Sequence, residues 1–213
     1  MRRAPETRDT LSSVAAIQAR TKLLLSSQHM APLVQYAERL GADQDWEVPD
    51  FDPVDGGINA SILFLAEKPG PMASVDGRGR RAGSGFVSLD NDDPTAKAGF
   101  KFMAQAGIPR GCIVKWNVVP GWNGTRKITA QELRLGVAEV SRLVALLKKL
   151  KAIVLVGKKA QRAGSLLESS GPRVFHSPHP SMLVRNRYPE QWNQIPVIWR
   201  EAGQHAGCLE APG

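Results

Sequence analysis

The chain has 213 residues, 42% of them apolar, which suits one domain with its own core, and no run approaches the ~20 apolar residues of a membrane span. Lys and Arg outnumber Asp and Glu by 28 to 20; a net charge of +8 favours a polyanionic partner such as nucleic acid and is equally compatible with an ordinary basic protein. The polar, charged start Met1–Thr10 does not resemble a secretory signal.

Val14–Leu25 and Ala31–Leu40 carry apolar residues at helical spacing with a polar break at Ser26–His29, which predicts a helical hairpin. Asp43–Asn59, rich in Asp, Pro and Gly, reads as a loop. Ser61–Ala66 is a short apolar run with Pro and Gly close behind it, the pattern of a buried strand ending in a tight loop. Val75–Ser88 is Gly- and Arg-rich without periodicity and is expected to be a surface loop. Pro94–Ala106 predicts a helix closing at Gly107.

Ile113–Val119 is the second strand, halted by Pro120–Gly121. Thr129 and Glu132 form a capping box for a helix from Thr129 to Leu150, with Leu133, Val137, Val140, Val144 and Leu147 along one face. Ala152–Val156 is a third strand. Gly157 then leads into a helix from Lys158 to about Leu167. Arg173–Phe175 is a short fourth strand, and Trp192–Trp199 a last short element. Residues 1–203 are expected to form one domain, with 1–45 as the packed hairpin and 204–213 as a disordered tail.

Strands alternating with helices predict an α/β fold, a mostly parallel sheet covered on both faces. Ligands in such sheets bind beyond the carboxyl ends of the strands. Four clusters fall at that edge: Glu67-Lys68-Pro69-Gly70, Gly83-Ser84-Gly85-Phe86-Val87, Trp116-Asn117-Val118-Val119-Pro120 and His176-Ser177-Pro178-His179-Pro180-Ser181. Cys112 is expected in the core and Cys208 in a frayed tail. Two cysteines suit a reducing cytoplasm and cannot supply a four-thiolate zinc or iron–sulfur site.

Taken in order, Glu67-Lys68-Pro69-Gly70, Phe86-Val87, Asn117-Val118-Val119 and His179-Pro180-Ser181 resemble the motifs of the uracil-DNA glycosylase superfamily, above all its thermostable iron–sulfur branch. The resemblance runs from about Ile62 to Arg187. It departs at Ala66, where that branch has Gly, at Lys68, and in the missing cluster cysteines, so a relative without cofactor or metal is expected. It implies a three-layer α/β/α sandwich around a four-stranded sheet. It also implies a monofunctional enzyme that excises uracil from single- or double-stranded DNA and leaves an abasic site. A cytoplasmic monomer with no membrane partner is expected. The alternative is a module that binds uracil or abasic sites with little turnover.

The resemblance also assigns roles, which the chemistry of each side chain suits. Glu67 would position or deprotonate the attacking water, with Asp76, Asp90 and Asp92 as alternatives in sequence. A neutral His179 would donate to the base carbonyl as negative charge builds, with His176 able to take the same part. Asn117 offers a donor and an acceptor to the uracil edge, and Phe86 a stacking face for the flipped base. Lys68 stands beside them as a further substrate contact. Ser181 opens the next segment, where Met182 and Leu183 could wedge into the duplex. Arg185, Arg187, Lys158, Lys159 and Arg80 are suited to phosphates. A Glu67–Lys68 surface pair, a loop histidine between prolines, a core-plugging Phe86, a strand-end Asn117 and a helix start that buries Leu183 are the plain structural readings of the same residues.

Overall fold

The structure is a computed structural model that describes residues 7–43, 46–75, 83–167 and 171–209. Its helices are α1 (Val14–Ser26), α2 (Ala31–Asp43), α3 (Pro94–Ala106), α4 (Ala130–Leu146), α5 (Lys158–Gln161), α6 (Gly164–Leu167), α7 (Met182–Arg187) and α8 (Pro189–Ala206). Four parallel strands, β2 (Ile62–Ala66), β4 (Ile113–Asn117), β5 (Ala152–Val156) and β6 (Arg173–Ser177), form the central sheet in the order β4-β2-β5-β6. A parallel pair, β1 (Asp50–Phe51) and β3 (Phe86–Val87), packs beside the edge strand β4.

Alternation along the strands sorts the core into two layers. Leu63, Leu65, Val114, Trp116, Ile153 and Leu155 pack against α2, α4, α5 and α6. Ile62, Phe64, Ile113, Val154, Val156 and Phe175 pack against α3 and α8. The result is the expected three-layer α/β/α sandwich.

Local sequence explains several element ends. Asp93 caps α3 by accepting from the Thr95 and Ala96 N–H groups, Pro94 takes the first helical position, and Gly107 closes the helix at φ 78°. The Thr129–Glu132 capping box starts α4 as expected, but the helix stops at Leu146 rather than Leu150. The predicted 158–167 helix is two single-turn pieces instead.

The largest departure is at the C-terminus. In place of a short element and a loose tail, α8 runs for 18 residues and ends at Gly207, φ 72°. Its buried stripe is Ile195, Trp199, Ala202, Gly203 and Ala206. Small residues carry the lower half of that stripe, so hydrophobicity alone understates it. A Cβ on Gly203 would come within 2.9 Å of Ile108, a close approach that only glycine allows. Cys208 is partly buried against the α3–α8 layer rather than frayed.

A buried ion network ties the N-terminal helices and the β1–β3 pair to the sheet. Arg20 of α1 binds Asp52 at 2.6 Å and Asp90 at 3.0 Å. Arg110, just before β4, binds Asp55 at 2.5 Å, Asp52 at 2.9 Å and Asp90 at 3.2 Å. All five side chains are at most 5% exposed. Two guanidinium groups face three carboxylates, so the buried set is one negative charge in excess unless a proton is held. Burial pushes the Asp55 carboxyl up to about 7 against the opposing pull of Arg110, and its Oδ2 has no hydrogen-bond partner among the described residues.

A folded-state pKa above the ordinary carboxylate value means the folded protein holds the Asp55 proton more tightly. That stabilisation is complete below pH ~4, declines as pH rises from there, and is gone above about 7. Asp55→Asn mimics the protonated acid. Its stability relative to the wild type should therefore rise between pH 5 and pH 7.5 in denaturant titrations; parallel curves at the two pH values would overturn the assignment.

Candidate functional site

The loops after β2, β4, β5 and β6 gather at the carboxyl edge of the sheet. The β2–β4 ladder continues past the strands: Val118 N–H donates to Ala66 O at 2.9 Å, and Val119 N–H to Glu67 O at 3.0 Å. Gly157 N–H donates to Ser177 O at 2.9 Å, which joins the ends of β5 and β6. Ser177 is fully buried and accepts from Trp199 Nε1 at 2.9 Å, which anchors the turn that carries His179 to α8.

Glu67 and His179 converge on Gly157. A Cβ at Gly157 would lie 2.8 Å from Glu67 Oε1 and 3.3 Å from His179 Cβ. Gly157 has φ 96° and ψ 154°, a region almost reserved for glycine. Strain and space thus demand the same residue there. Gly157→Ala should lower the melting temperature by the equivalent of about 1–3 kcal/mol and displace both side chains. Thermal unfolding, together with the histidine ring resonances in NMR spectra, would check this, and unchanged spectra would refute the convergence.

His179 is half-buried. Burial holds its pKa below the ordinary histidine value, while the nearby Glu67 carboxylate opposes the shift. The imidazole is therefore neutral at physiological pH and keeps one N–H to donate. Glu67 Oε1 accepts from the Lys159 N–H at 3.2 Å. The free amide at the start of α5, expected for a phosphate, is thus already engaged by a carboxylate, while the Lys158 and Lys159 side chains are exposed.

Asn117 ends β4 beside Ala66, 4% exposed, and its side-chain amide makes no hydrogen bond among the described residues. The amide atoms are not among the polar atoms sealed from solvent, so this group is open to bond a ligand at the sheet edge.

Two expected contacts are corrected. Lys68 was expected at the substrate, but its ammonium donates to Asn123 Oδ1 at 2.7 Å, Lys127 O at 3.2 Å and Glu132 Oε1 at 2.7 Å. All three donors are engaged, and the side chain is 3% exposed. Lys68 instead pins the 123–132 segment to the loop after β2. Burial pushes the Glu132 carboxyl up, yet hydrogen bonds from Lys68 and the Thr129 N–H outweigh it and hold the group below its usual range. Lys68→Met should cost about 3 kcal/mol by leaving Glu132 without its cation, measurable by urea titration. A change under ~0.5 kcal/mol would show the pair to be dispensable.

Phe86 was expected to stack on a base but is 2% exposed and packed in the core beneath α2 and α4. Its backbone is fixed by Ser84 Oγ and Asn91 Nδ2, so it plugs the core as folded. His176 is exposed on the outer strand β6, with its ring 3.1 Å from where a Gly164 Cβ would sit. That places it over α6, and it is not brought to the Glu67–His179 meeting point. Asp90 belongs to the ion network, and Asp92 is exposed next to the cap of α3.

Beyond His179, Ser181 caps α7 by accepting from the Val184 N–H at 3.4 Å. Met182 is 42% and Leu183 61% exposed, so the helix does not bury Leu183. Arg185 and Arg187 are exposed on the same short helix, with the Arg185 guanidinium 6.0 Å from the Trp192 ring centre. Arg80 and Asp76 lie outside the described residues.

The family model of the uracil DNA glycosylase superfamily matches residues 53–202. The chain belongs to the uracil DNA glycosylase superfamily. A solution NMR structure of a candidate uracil DNA glycosylase from Methanosarcina acetivorans is similar at 20% identity, covering 68% of this chain and 91% of that one, with a TM-score of 0.41. No curated protein matches the sequence. Membership brings DNA as the substrate class. No helix among the described residues is long and apolar enough to cross a membrane.

The four-thiolate cluster of the iron–sulfur branch does not fit this member. Its two cysteines, Cys112 and Cys208, lie at the opposite edge of the sheet, where Ser61 Oγ reaches the Cys112 carbonyl at 3.4 Å and Cys208 Sγ at 2.9 Å. Two thiols cannot take the place of four, and no step is derived through such a cluster.

Proposed function

We propose that this superfamily member hydrolyses the N-glycosidic bond of uracil in DNA and leaves an abasic site. The observation that carries the reading is the meeting of Glu67 and His179 across Gly157, with the unpartnered Asn117 amide at the same sheet edge. Cleavage develops positive character on the sugar and negative charge on the departing base. The Glu67 carboxylate positions and deprotonates the water that adds to C1′, and it favours the cationic sugar electrostatically. The bond's electron pair leaves with the base, and neutral His179 donates an N–H to the carbonyl oxygen on which that charge collects. Asn117 reads the extruded base, accepting from its ring N–H and donating to the adjacent carbonyl.

The exposed pair Met182 and Leu183 suits a wedge into the gap left by the flipped nucleotide. Ser181, Arg185, Arg187, Lys158 and Lys159 would hold the flanking backbone. The binding-module reading also has an observation behind it, since the Lys159 N–H already engages one Glu67 oxygen.

The test is a single-turnover assay on labelled single- and double-stranded oligonucleotides carrying one uracil, followed by alkali. The wild type should cut both the base bond and, after alkali, the strand. Glu67→Gln should slow excision ~10²–10⁴-fold and His179→Ala ~10²-fold or more. Asn117→Ala should narrow the preference for uracil over cytosine by about 1–3 kcal/mol. Because the His179 pKa lies below the ordinary value near 6.5, the rate should stay level through that range and fall only at lower pH. Tight retention without excision would replace the enzyme reading by the binding module, and neither outcome would remove both.

A further inference from the structure

Lys115 is the one charged residue in the apolar strand Ile113–Asn117. The alternation that sends Val114 and Trp116 into the layer under α2 and α4 sends Lys115 to the other face, the face of Asn117. Its register partner is Phe64, in the layer under α3 and α8. Lys115 is half-buried and makes no hydrogen bond or ion pair among the described residues.

The charged groups around it come from every neighbouring element. Asp52 and Asp55 follow β1, Arg110 precedes β4, and Asp93 caps α3. His179, in the loop after β6, lies within electrostatic reach as well. None of these groups bonds to the Lys115 amine. Burial lowers its pKa, as expected for a cation held away from water without a direct counter-ion. Such a group is poorly compensated in the resting protein and is relieved by any anion placed against it.

We propose that Lys115 is the cationic group of the base pocket, stabilising through its ammonium the negative charge that develops on the departing base between Asn117 and His179. The inference rests on the glycosylase reading above and adds a residue to it. An anion placed against the amine favours its protonated form, so the charge is supplied where and when the bond breaks. Neutral His179 supplies a dipole, and Lys115 supplies a full charge. A base with an amino group in place of the carbonyl would face a donor with another donor, so the lysine also favours keto bases.

The experiment compares uracil with 5-fluorouracil, a more acidic leaving group, in the same single-turnover assay. Lys115→Met keeps length and apolar volume and removes the charge. It should slow excision of uracil on the order of 10²-fold and of 5-fluorouracil by ~10-fold or less, because a base that is stable as an anion needs less help. Lys115→Arg should recover most of the uracil rate. Far-ultraviolet circular dichroism and thermal unfolding of both variants exclude misfolding as the source. Equal slowing of the two bases, or no slowing, would overturn the role of Lys115 and leave the glycosylase reading standing. A wild type that excises neither base would overturn both.

Discussion

Arg110 and Arg20, buried against Asp52, Asp55 and Asp90, fix where the N-terminal third of the chain meets the sheet. Four segments distant in sequence converge there: α1, the turn after β1, the turn after β3 and the turn before β4. Buried ion sets of this kind need not stabilise more than apolar packing would, because desolvation offsets much of the attraction. What this one does is exclude alternatives, since any other docking would leave a charge buried and unpaired. Register follows from it. Phe51 stacks on Trp116 with ring centres 3.8 Å apart, so β1 sits on β4, and β3 follows β1.

The face of β4 away from Trp116 then borders the candidate site. Three side chains at the carboxyl edge share one property: the protein leaves each incompletely satisfied. The Asn117 amide makes no bond among the described residues, His179 is kept uncharged by burial, and Glu67 is held by one backbone amide. The three engaged donors of Lys68 stand in contrast. Lys68 and Glu67 are adjacent in sequence yet opposite in function. One closes a loop by filling every donor, and the other stays available because a glycine stands beneath it.

The strands were readable from the sequence because buried parallel strands are short, continuous apolar runs, and Ala152–Val156 coincides with β5. Asp93, Pro94 and Gly107 made α3 legible for equally local reasons. The lower half of α8 was not, since Ala202, Gly203 and Ala206 bury through close approach rather than through hydrophobicity. The positions of Glu67, Asn117 and His179 followed from order along the chain and strand ends, because a parallel sheet collects those ends on one edge. Phe86 and Lys68 failed for a common reason. Neighbourhood in sequence says which loop a residue occupies, but not which way its side chain turns, and here one ring turned into the core and one amine turned towards Glu132. The ion network was illegible because its members lie in four unrelated stretches that show no pattern until they meet.

The crossover topology carries one more consequence, for the folding of the chain. Glu67, Gly157 and His179 follow three neighbouring strands, yet the first and last are far apart in sequence, and the anchor of the His179 turn is Trp199, further on still. No partial sheet holds the pocket. It closes only when the final helix has docked and the long-range pairings are complete, the slowest class of contact to form. The candidate pocket therefore depends on the whole sheet and on α8, and a chain clipped before α8 would lack the anchor of the His179 turn.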